Sequence, residues 1–293
     1  MQNNIKIFKT EKWSDYELLD TGEGEKLEKF GPYTFVRPYE EAFWKKTLDK
    51  KIWNNADGIF AISNETKKAG WKFKNKIEKN WIMSLDKVSF TASPTQFRHL
   101  QFFPEQRVHW DFINKKIKEA NRPIKFLNLF GYTGVASLFA LEAGAEVTHL
   151  DASKGSIDLA KENQKLSGLE DKPMRVIVDD ALKFLEREIK RGNRYDAVIM
   201  DPPKFGRGPK GETWKIEEDL PKLISLVERV LSDNPLFVIL TSYAIESSAL
   251  SLGYALENLK SKYGGGINAG EMCILESSSG KFISLANTAV WEK

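Results

Sequence analysis

A carboxylate ends an apolar run in the stretch VIMDPPKF, Val198 to Phe205, and the two prolines after it can neither extend a strand nor donate a backbone hydrogen bond. Asp201 is therefore expected at the carboxyl end of a buried strand, the edge at which doubly wound sheets bind ligands. Pro202 and Pro203 would hold it in a stiff extended turn at the cleft. Lys204 and Phe205 come next, and KFGRGPKGETWK adds Arg207, Lys210, Trp214 and Lys215. Cations mixed with aromatic rings suit a nucleic-acid backbone and unstacked bases, although a solvated loop can have the same composition.

Further upstream, Gly131 and Gly134 punctuate NLFGYTGVAS, Asn128 to Ser137. Such glycines let the chain turn tightly and let a ligand reach backbone amides at the start of the next helix. Alone, a G-x-x-G fits an ordinary strand-to-helix turn equally well. About 20 residues on, EVTHLD ends at Asp151, the usual place for an acid that accepts hydrogen bonds from ribose hydroxyls. In VIVDDA, Asp179 or Asp180 follows another strand and could accept from an adenine amino group; the same aspartates could cap the helix ALKFLEREIK.

The elements that must position these residues follow from periodicity. After Arg122, apolar strands alternate with amphipathic helices, which implies crossover connections and a parallel sheet covered on both faces. The tail instead has EMCILES and KFISLANTAVWE joined by Ser278 to Gly280, a link short enough only for an antiparallel hairpin. Residues 123–293 are thus expected to form a doubly wound, Rossmann-like α/β domain whose mainly parallel sheet ends in an antiparallel hairpin. Residues 1–95 are rich in Trp, Phe and Tyr, with short alternating runs such as YTFVRP and KVSFTAS, and read as a small β-rich accessory domain. Its TKKAGWKFKNK, Thr66 to Lys76, is basic and aromatic and could bind RNA, or could be the edge of a core. Residues 96–122 form a connecting segment that includes a helix, with Val108, Phe112, Ile113 and Ile117 at helical spacing.

Composition narrows the classes of function. With 41% hydrophobic residues in 293 the chain can bury a sizeable core, and a formal net charge of only +3 leaves any nucleic-acid affinity to local patches. The single cysteine, Cys273, excludes an intrachain disulfide and a cysteine metal cluster, and fits a reducing cytosol. The first twenty residues carry charges every few positions, unlike a signal peptide, and the longest apolar windows fall far short of the roughly 20 residues that span a bilayer. A soluble cytoplasmic protein with neither metal nor membrane association is expected.

Taken in order, FLNLFGYTG, EVTHLD, VIVDDA and VIMDPPKF resemble the class I S-adenosylmethionine-dependent methyltransferases, in particular the branch containing bacterial 23S rRNA cytosine-5 methyltransferases. The resemblance runs from about Gln96 to Trp291 and includes the terminal antiparallel pair, which in that fold completes a seven-stranded sheet. It implies S-adenosylmethionine as cofactor and RNA as partner. The implied cofactor contacts come from Asn128, Phe130, Gly131, Thr133 and Gly134 on the glycine turn, from Asp151, Ala152 and Ser153, from Asp179, Asp180 and Ala181, and from Asp201. The implied catalytic group is Asp201, Pro202, Lys204 and Phe205. That branch also carries a Phe-x-Asp-Gln-Arg element; FFPEQR, with Glu105 in place of the aspartate, is similar and implies that Phe103, Gln106 and Arg107 line the cofactor mouth or pack between domains.

The sequence departs from this branch at one chemically decisive point. Cytosine-5 methylation proceeds through attack of a cysteine thiolate, yet where the branch carries Thr-Cys this chain has LTSYA, with Ser242 and Tyr243. Cys273 lies in the apolar strand EMCILE, where a buried inert thiol is the default. Direct transfer to a base nitrogen or oxygen needs no covalent intermediate. In amino-methylating relatives an aromatic residue follows Asp/Asn-Pro-Pro; here Lys204 takes that place and Phe205 comes one residue later. A small-molecule or protein methyltransferase, a catalytically silent RNA-binding protein of the same fold, and a nicotinamide-dependent oxidoreductase are the competing readings; the last predicts neither DPPK nor the terminal hairpin.

Overall fold

The computed structural model describes residues 5–62, 69–243 and 248–293; residues 66–68 of the basic-aromatic stretch lie outside these. The chain divides into two compact units. One comprises Met1–Phe8, Val108–Met272 and Leu285–Lys293, the other Lys9–Arg107 and Cys273–Ser284. Each unit groups segments far apart in sequence, because strand pairing takes no account of chain order.

After β1 (Lys6–Thr10), the strands β2 (Tyr16–Gly22), β3 (Glu25–Phe30) and β4 (Tyr33–Pro38), a short helix α1 (Lys50–Asn54), and strands β5 (Gly58–Ile62) and β6 (Ala69–Phe73) follow. β2 to β6 form a five-stranded sheet in chain order, parallel only between β4 and β5, and β7 (Trp81–Leu85) with β8 (Val88–Ala92) forms a separate hairpin. The core of this unit is aromatic: Phe30 lies 5.6 Å from Phe102, and Phe102 lies 4.9 Å from Phe90. A buried Glu28 is satisfied inside it by two hydrogen bonds of 2.7 Å from Arg37 and one of 2.9 Å from the Tyr16 hydroxyl.

The larger unit runs α2 (Arg107–Glu119), β9 (Lys125–Leu129), α3 (Val135–Glu142), β10 (Glu146–Asp151), α4 (Lys154–Leu166), β11 (Met174–Val178), α5 (Ala181–Arg191) and β12 (Ala197–Met200). It continues with β13 (Phe205–Arg207), β14 (Thr213–Lys215), α6 (Ile216–Val230), β15 (Phe237–Ser242), α7 (Ala249–Ala255), α8 (Glu257–Tyr263), β16 (Gly266–Leu275) and β17 (Phe282–Glu292). The sheet order is β1-β16-β17-β15-β12-β9-β10-β11. β9 to β12 and β15 pair in parallel, and β17 runs antiparallel to β15. Eight strands replace the expected seven. The extra one is β1, whose KIFKT is short, lysine-flanked and buried at only two of five positions, too weak a pattern to place in a sheet over two hundred residues away.

β12 and β15 are buried at every position, as befits strands covered on both faces. On one face α5 contributes Phe184 and Leu185, and α6 contributes Leu223, Val227 and Val230, against Leu127, Leu129, Val198, Met200 and Leu240. On the other, Trp110 of α2 stacks 5.5 Å from Phe139 of α3. Burial works to raise the Glu188 carboxyl on α5, but hydrogen bonds from Arg175, Tyr195 and Asn193 outweigh it and bring it down to about 2. No helix among the described residues is long and apolar enough to cross a membrane.

Two histidines of this unit are fully enclosed. His109 Nε2 lies 3.0 Å from Thr288 Oγ1, and His149 Nδ1 lies 3.0 Å from Ser137 Oγ. Burial lowers them from 6.5 to about 3 and about 4. A histidine held neutral in this way binds its proton more weakly folded than unfolded. Its stabilising contribution is therefore complete above pH 6.5 and is lost as pH falls toward the folded value. By pH 5 each should have cost about 2 kcal/mol. Urea midpoints should drop between pH 7 and pH 5, and His109→Gln with His149→Gln should remove most of that drop; an unchanged drop in the double variant would acquit both histidines.

Candidate active site at the switch point of the sheet

Leu129, the last residue of β9, pairs with Leu150 on β10 and with Met200 on β12. The next residue along each strand is Phe130, Asp151 or Asp201. Two carboxylates therefore flank the start of the glycine turn, one on each neighbouring strand, with backbones about 10 Å apart at two interstrand spacings. The winding reverses between β9 and β12, so the crevice of the open sheet lies at this position.

The turn itself is tightly built. Phe130, Tyr132 and Gly134 have φ of 57°, 49° and 86°, the left-handed region that side chains resist. A Cβ on Gly131 would run into the His149 ring, and one on Gly134 would come within 2.9 Å of the Ala160 Cβ. Under the turn, Asn128 Nδ2 donates to Ser137 Oγ at 3.0 Å, and the same oxygen meets His149 Nδ1. Asn163 Nδ2 donates to the Thr133 carbonyl at 2.9 Å. Asp151 closes the arrangement: its oxygens accept from the amides of Tyr132 at 2.9 Å and Ser153 at 2.8 Å. Burial raises the Asp151 carboxyl in spite of these two amides. Each oxygen keeps room for another donor, since a carboxylate offers about four acceptor positions.

Several residues expected at the cofactor also have structural tasks. Asp180 is the N-cap of α5, accepting from the Lys183 amide at 3.0 Å, and Ser153 caps α4. Asp179 pairs with Arg187 and accepts from the Asp180 amide at 2.9 Å. Ala181 is buried in the core and Ala152 is partly exposed beside Asp151. The Asn128 amide is turned into the buried network with Ser137, and Phe130 packs 5.1 Å from Trp214. Phe103 and Gln106 belong to the other unit, Phe103 preceding and Gln106 closing a 3-10 turn over Pro104–Gln106; Phe103 meets His99 and Gln106 is buried. Arg107 donates there to the carbonyls of Glu11 and Lys12.

Beyond Asp201, Pro202 is buried, Lys204 partly buried and Phe205 64% exposed. The stretch expected as a loop is a hairpin, β13 with β14. Its Trp214, read from sequence as a ring for base stacking, is only 4% exposed, and its Nε1 donates to the Pro203 carbonyl at 2.6 Å. It is an anchor, since strand alternation turns it inward. Cys273 is 3% exposed in β16. His149, Ser137 and Asn163 were not singled out from sequence; His149 sits two residues before Asp151, where the alternation of a strand puts it on the same face.

The family model of S-adenosylmethionine-dependent methyltransferases matches residues 85–254. The crystal structure of the SAM-dependent methyltransferase from Agrobacterium tumefaciens agrees with a TM-score of 0.92 at 42% identity, over 98% of this chain and 93% of that one. Ribosomal RNA large subunit methyltransferase K of Neisseria meningitidis is 32% identical over 122 residues, 41% of this chain and 34% of that protein. Ribosomal RNA large subunit methyltransferase I of Aeromonas salmonicida is 38% identical over 82 residues, 28% and 21% of the two. The chain spans about a third or less of the length of these curated relatives.

The contact between Gly131 and His149 is open to a direct test. Gly131→Ala should destabilise the protein by about 1 to 3 kcal/mol, as overpacking does, and His149→Ala should make room for the added methyl. A double-mutant cycle should return a favourable coupling above about 1 kcal/mol; strict additivity would mean that the turn does not rest on the histidine.

Proposed function

Because the chain belongs to the S-adenosylmethionine-dependent methyltransferase family, we propose that it transfers the methyl group to a nitrogen or oxygen of a base in ribosomal RNA, in the cytoplasm. The observation that carries this reading is the register at Leu129, which sets Asp151 and Asp201 on either side of the glycine turn. The residues fit the cofactor: Asp151 is a recessed carboxylate with acceptor capacity left over, next to a turn packed too closely for any side chain at residue 131. Asp151 would accept from the ribose hydroxyls, the turn from Phe130 to Gly134 would cradle the remainder, and Asp179 would face the adenine. Bound there, the cofactor supplies an electrophilic methyl on a sulfonium.

This chain's own residues then have an orienting task. Asp201, stiffened by Pro202 and Pro203, accepts a hydrogen bond from the acceptor group and aims its lone pair, while Lys204 and Phe205 shape the acceptor pocket. Proximity and alignment supply most of the acceleration in such a displacement. The ribosomal RNA acceptor is supported by the names of relatives K and I and by the cations around Phe205.

Separate parameters test the two carboxylates. Asp151→Ala should weaken S-adenosylmethionine binding in calorimetry by about 1 to 3 kcal/mol through lost charge-assisted hydrogen bonds. Asp201→Ala should leave that affinity within a few-fold and lower turnover by about a hundredfold, the mark of an interaction used in the transition state. Mass analysis of ribosomal RNA nucleosides from a strain lacking the protein should reveal one missing methylated base. Normal turnover by Asp201→Ala on that base would remove the aspartate from the mechanism. Cys273→Ala should keep full activity on the same RNA; a folded variant that transfers nothing would restore a covalent thiolate route.

A further inference from the structure

We infer that the β13–β14 hairpin is a stacking platform for an unpaired ribonucleotide adjacent to the base being methylated, with Phe205 as the stacking ring and Arg207, Lys204 and Lys210 as its phosphate contacts. The inference rests on the RNA reading above and adds a place where the chain of the RNA is held.

The hairpin pairs Phe205 with Lys215, Gly206 with Trp214 and Arg207 with Thr213. Strand alternation therefore turns Gly206 and Trp214 inward and Phe205, Arg207, Thr213 and Lys215 outward. The inward side is fixed: Trp214 is tied to the Pro203 carbonyl and packs on Phe130, and the Ile216 amide donates to the Lys204 carbonyl at 3.1 Å. The tip is fixed too, since Glu212 accepts from the Lys210 amide at 2.8 Å and pairs with Lys183 at 2.6 Å. The same turn that carries Asp201 thus carries the outward face rigidly.

A shallow, open depression of about 360 Å³ lies along the hairpin, bounded by the outward Phe205, Arg207, Thr213 and Lys215 and reaching Gly206 and Trp214 beneath them, large enough for a nucleoside. Phe205 is 64% exposed in it, with Lys204 Nζ 5.8 Å from the ring centre. Lys215 pairs with Glu218, but the side chains of Lys204, Arg207 and Lys210 form no ion pair with any described residue. An exposed ring with Lys204 beside it, Arg207 outward on the same strand and Lys210 at the hairpin tip is complementary to a base and its flanking phosphates, and every base has a face that stacks. A rigid platform of this kind orders the strand before chemistry and makes Lys204 and Phe205 the border between the neighbouring nucleotide and the acceptor pocket at Asp201.

The test uses the full chain and a fluorescein-labelled mixed-sequence 15-nucleotide RNA, single-stranded or annealed to its complement, read by fluorescence anisotropy. Phe205→Ala and Arg207→Gln should each weaken single-strand binding about tenfold and change duplex binding little. Phe205→Trp should restore it, and Lys165→Gln, an equal change of charge on α4, should leave it within twofold. S-adenosylmethionine affinity, measured by calorimetry on each variant, should stay at the wild-type value and so reports folding. Unaltered single-strand affinity in Phe205→Ala and Arg207→Gln, with wild type binding the probe, would overturn the platform and leave the RNA reading standing. Failure of the wild type to bind any RNA while it binds S-adenosylmethionine would overturn both.

Discussion

The turn after β9 can take its form only because nothing stands between the backbone of residue 131 and the ring of His149. Removing the Cβ lets the chain lie on the histidine. The histidine in turn is fixed through Ser137 to Asn128, so strand β9, helix α3 and strand β10 meet in one buried hydrogen-bonded chain. Two non-glycine residues with positive φ, Phe130 and Tyr132, cost of order 1 kcal/mol or more each. The Tyr132 amide recovers part of that through Asp151, which ties the strained backbone to the neighbouring strand. Strain and charge are thus concentrated where an open sheet offers its crevice, and the enclosed network beneath supports both.

Rigidity on the other side of the crevice has a different origin. Asp201 leaves a strand buried at all four positions and enters two prolines, whose carbonyl at Pro203 is then occupied by Trp214. The indole also packs on Phe130, so a single side chain connects the acidic turn, the hairpin after it and the glycine turn. The outward residues of that hairpin can stay exposed because Trp214 supplies the burial that a two-stranded ribbon lacks by itself.

Much of this was legible in the sequence because it is local. Strand ends marked by Asp151 and Asp201, the G-x-x-G between them and the short link of the C-terminal hairpin are all properties of a few consecutive residues. What escaped was decided by partners remote in the chain. β1 gained its place from β16, and Trp214 became an anchor because hairpin register turned it inward rather than toward solvent. Asp180 and Ser153 looked like ligand contacts and also serve as helix caps, an ambiguity intrinsic to aspartate and serine at the start of a helix. His149 carried no motif; its meaning depends on the absence of a side chain eighteen residues earlier.

The arrangement also bears on which kind of transfer the crevice favours. A covalent route needs a thiolate at the acceptor face, whereas β15 ends in Ser242 and the chain's one thiol is enclosed in β16. Direct displacement makes the opposite demand: no nucleophilic side chain, but an acceptor held in line with the breaking methyl–sulfur bond as sulfur leaves as a thioether, where an error of an ångström costs about a hundredfold. Prolines, a buried strand and an indole clamp suit that demand, because they hold the backbone of Asp201 still and, in the role proposed for it, would remove motion from the carboxylate before the acceptor arrives. A stiff aspartate has little to offer a covalent mechanism, whose difficulty lies in activating a nucleophile, and much to offer one whose difficulty lies in aim.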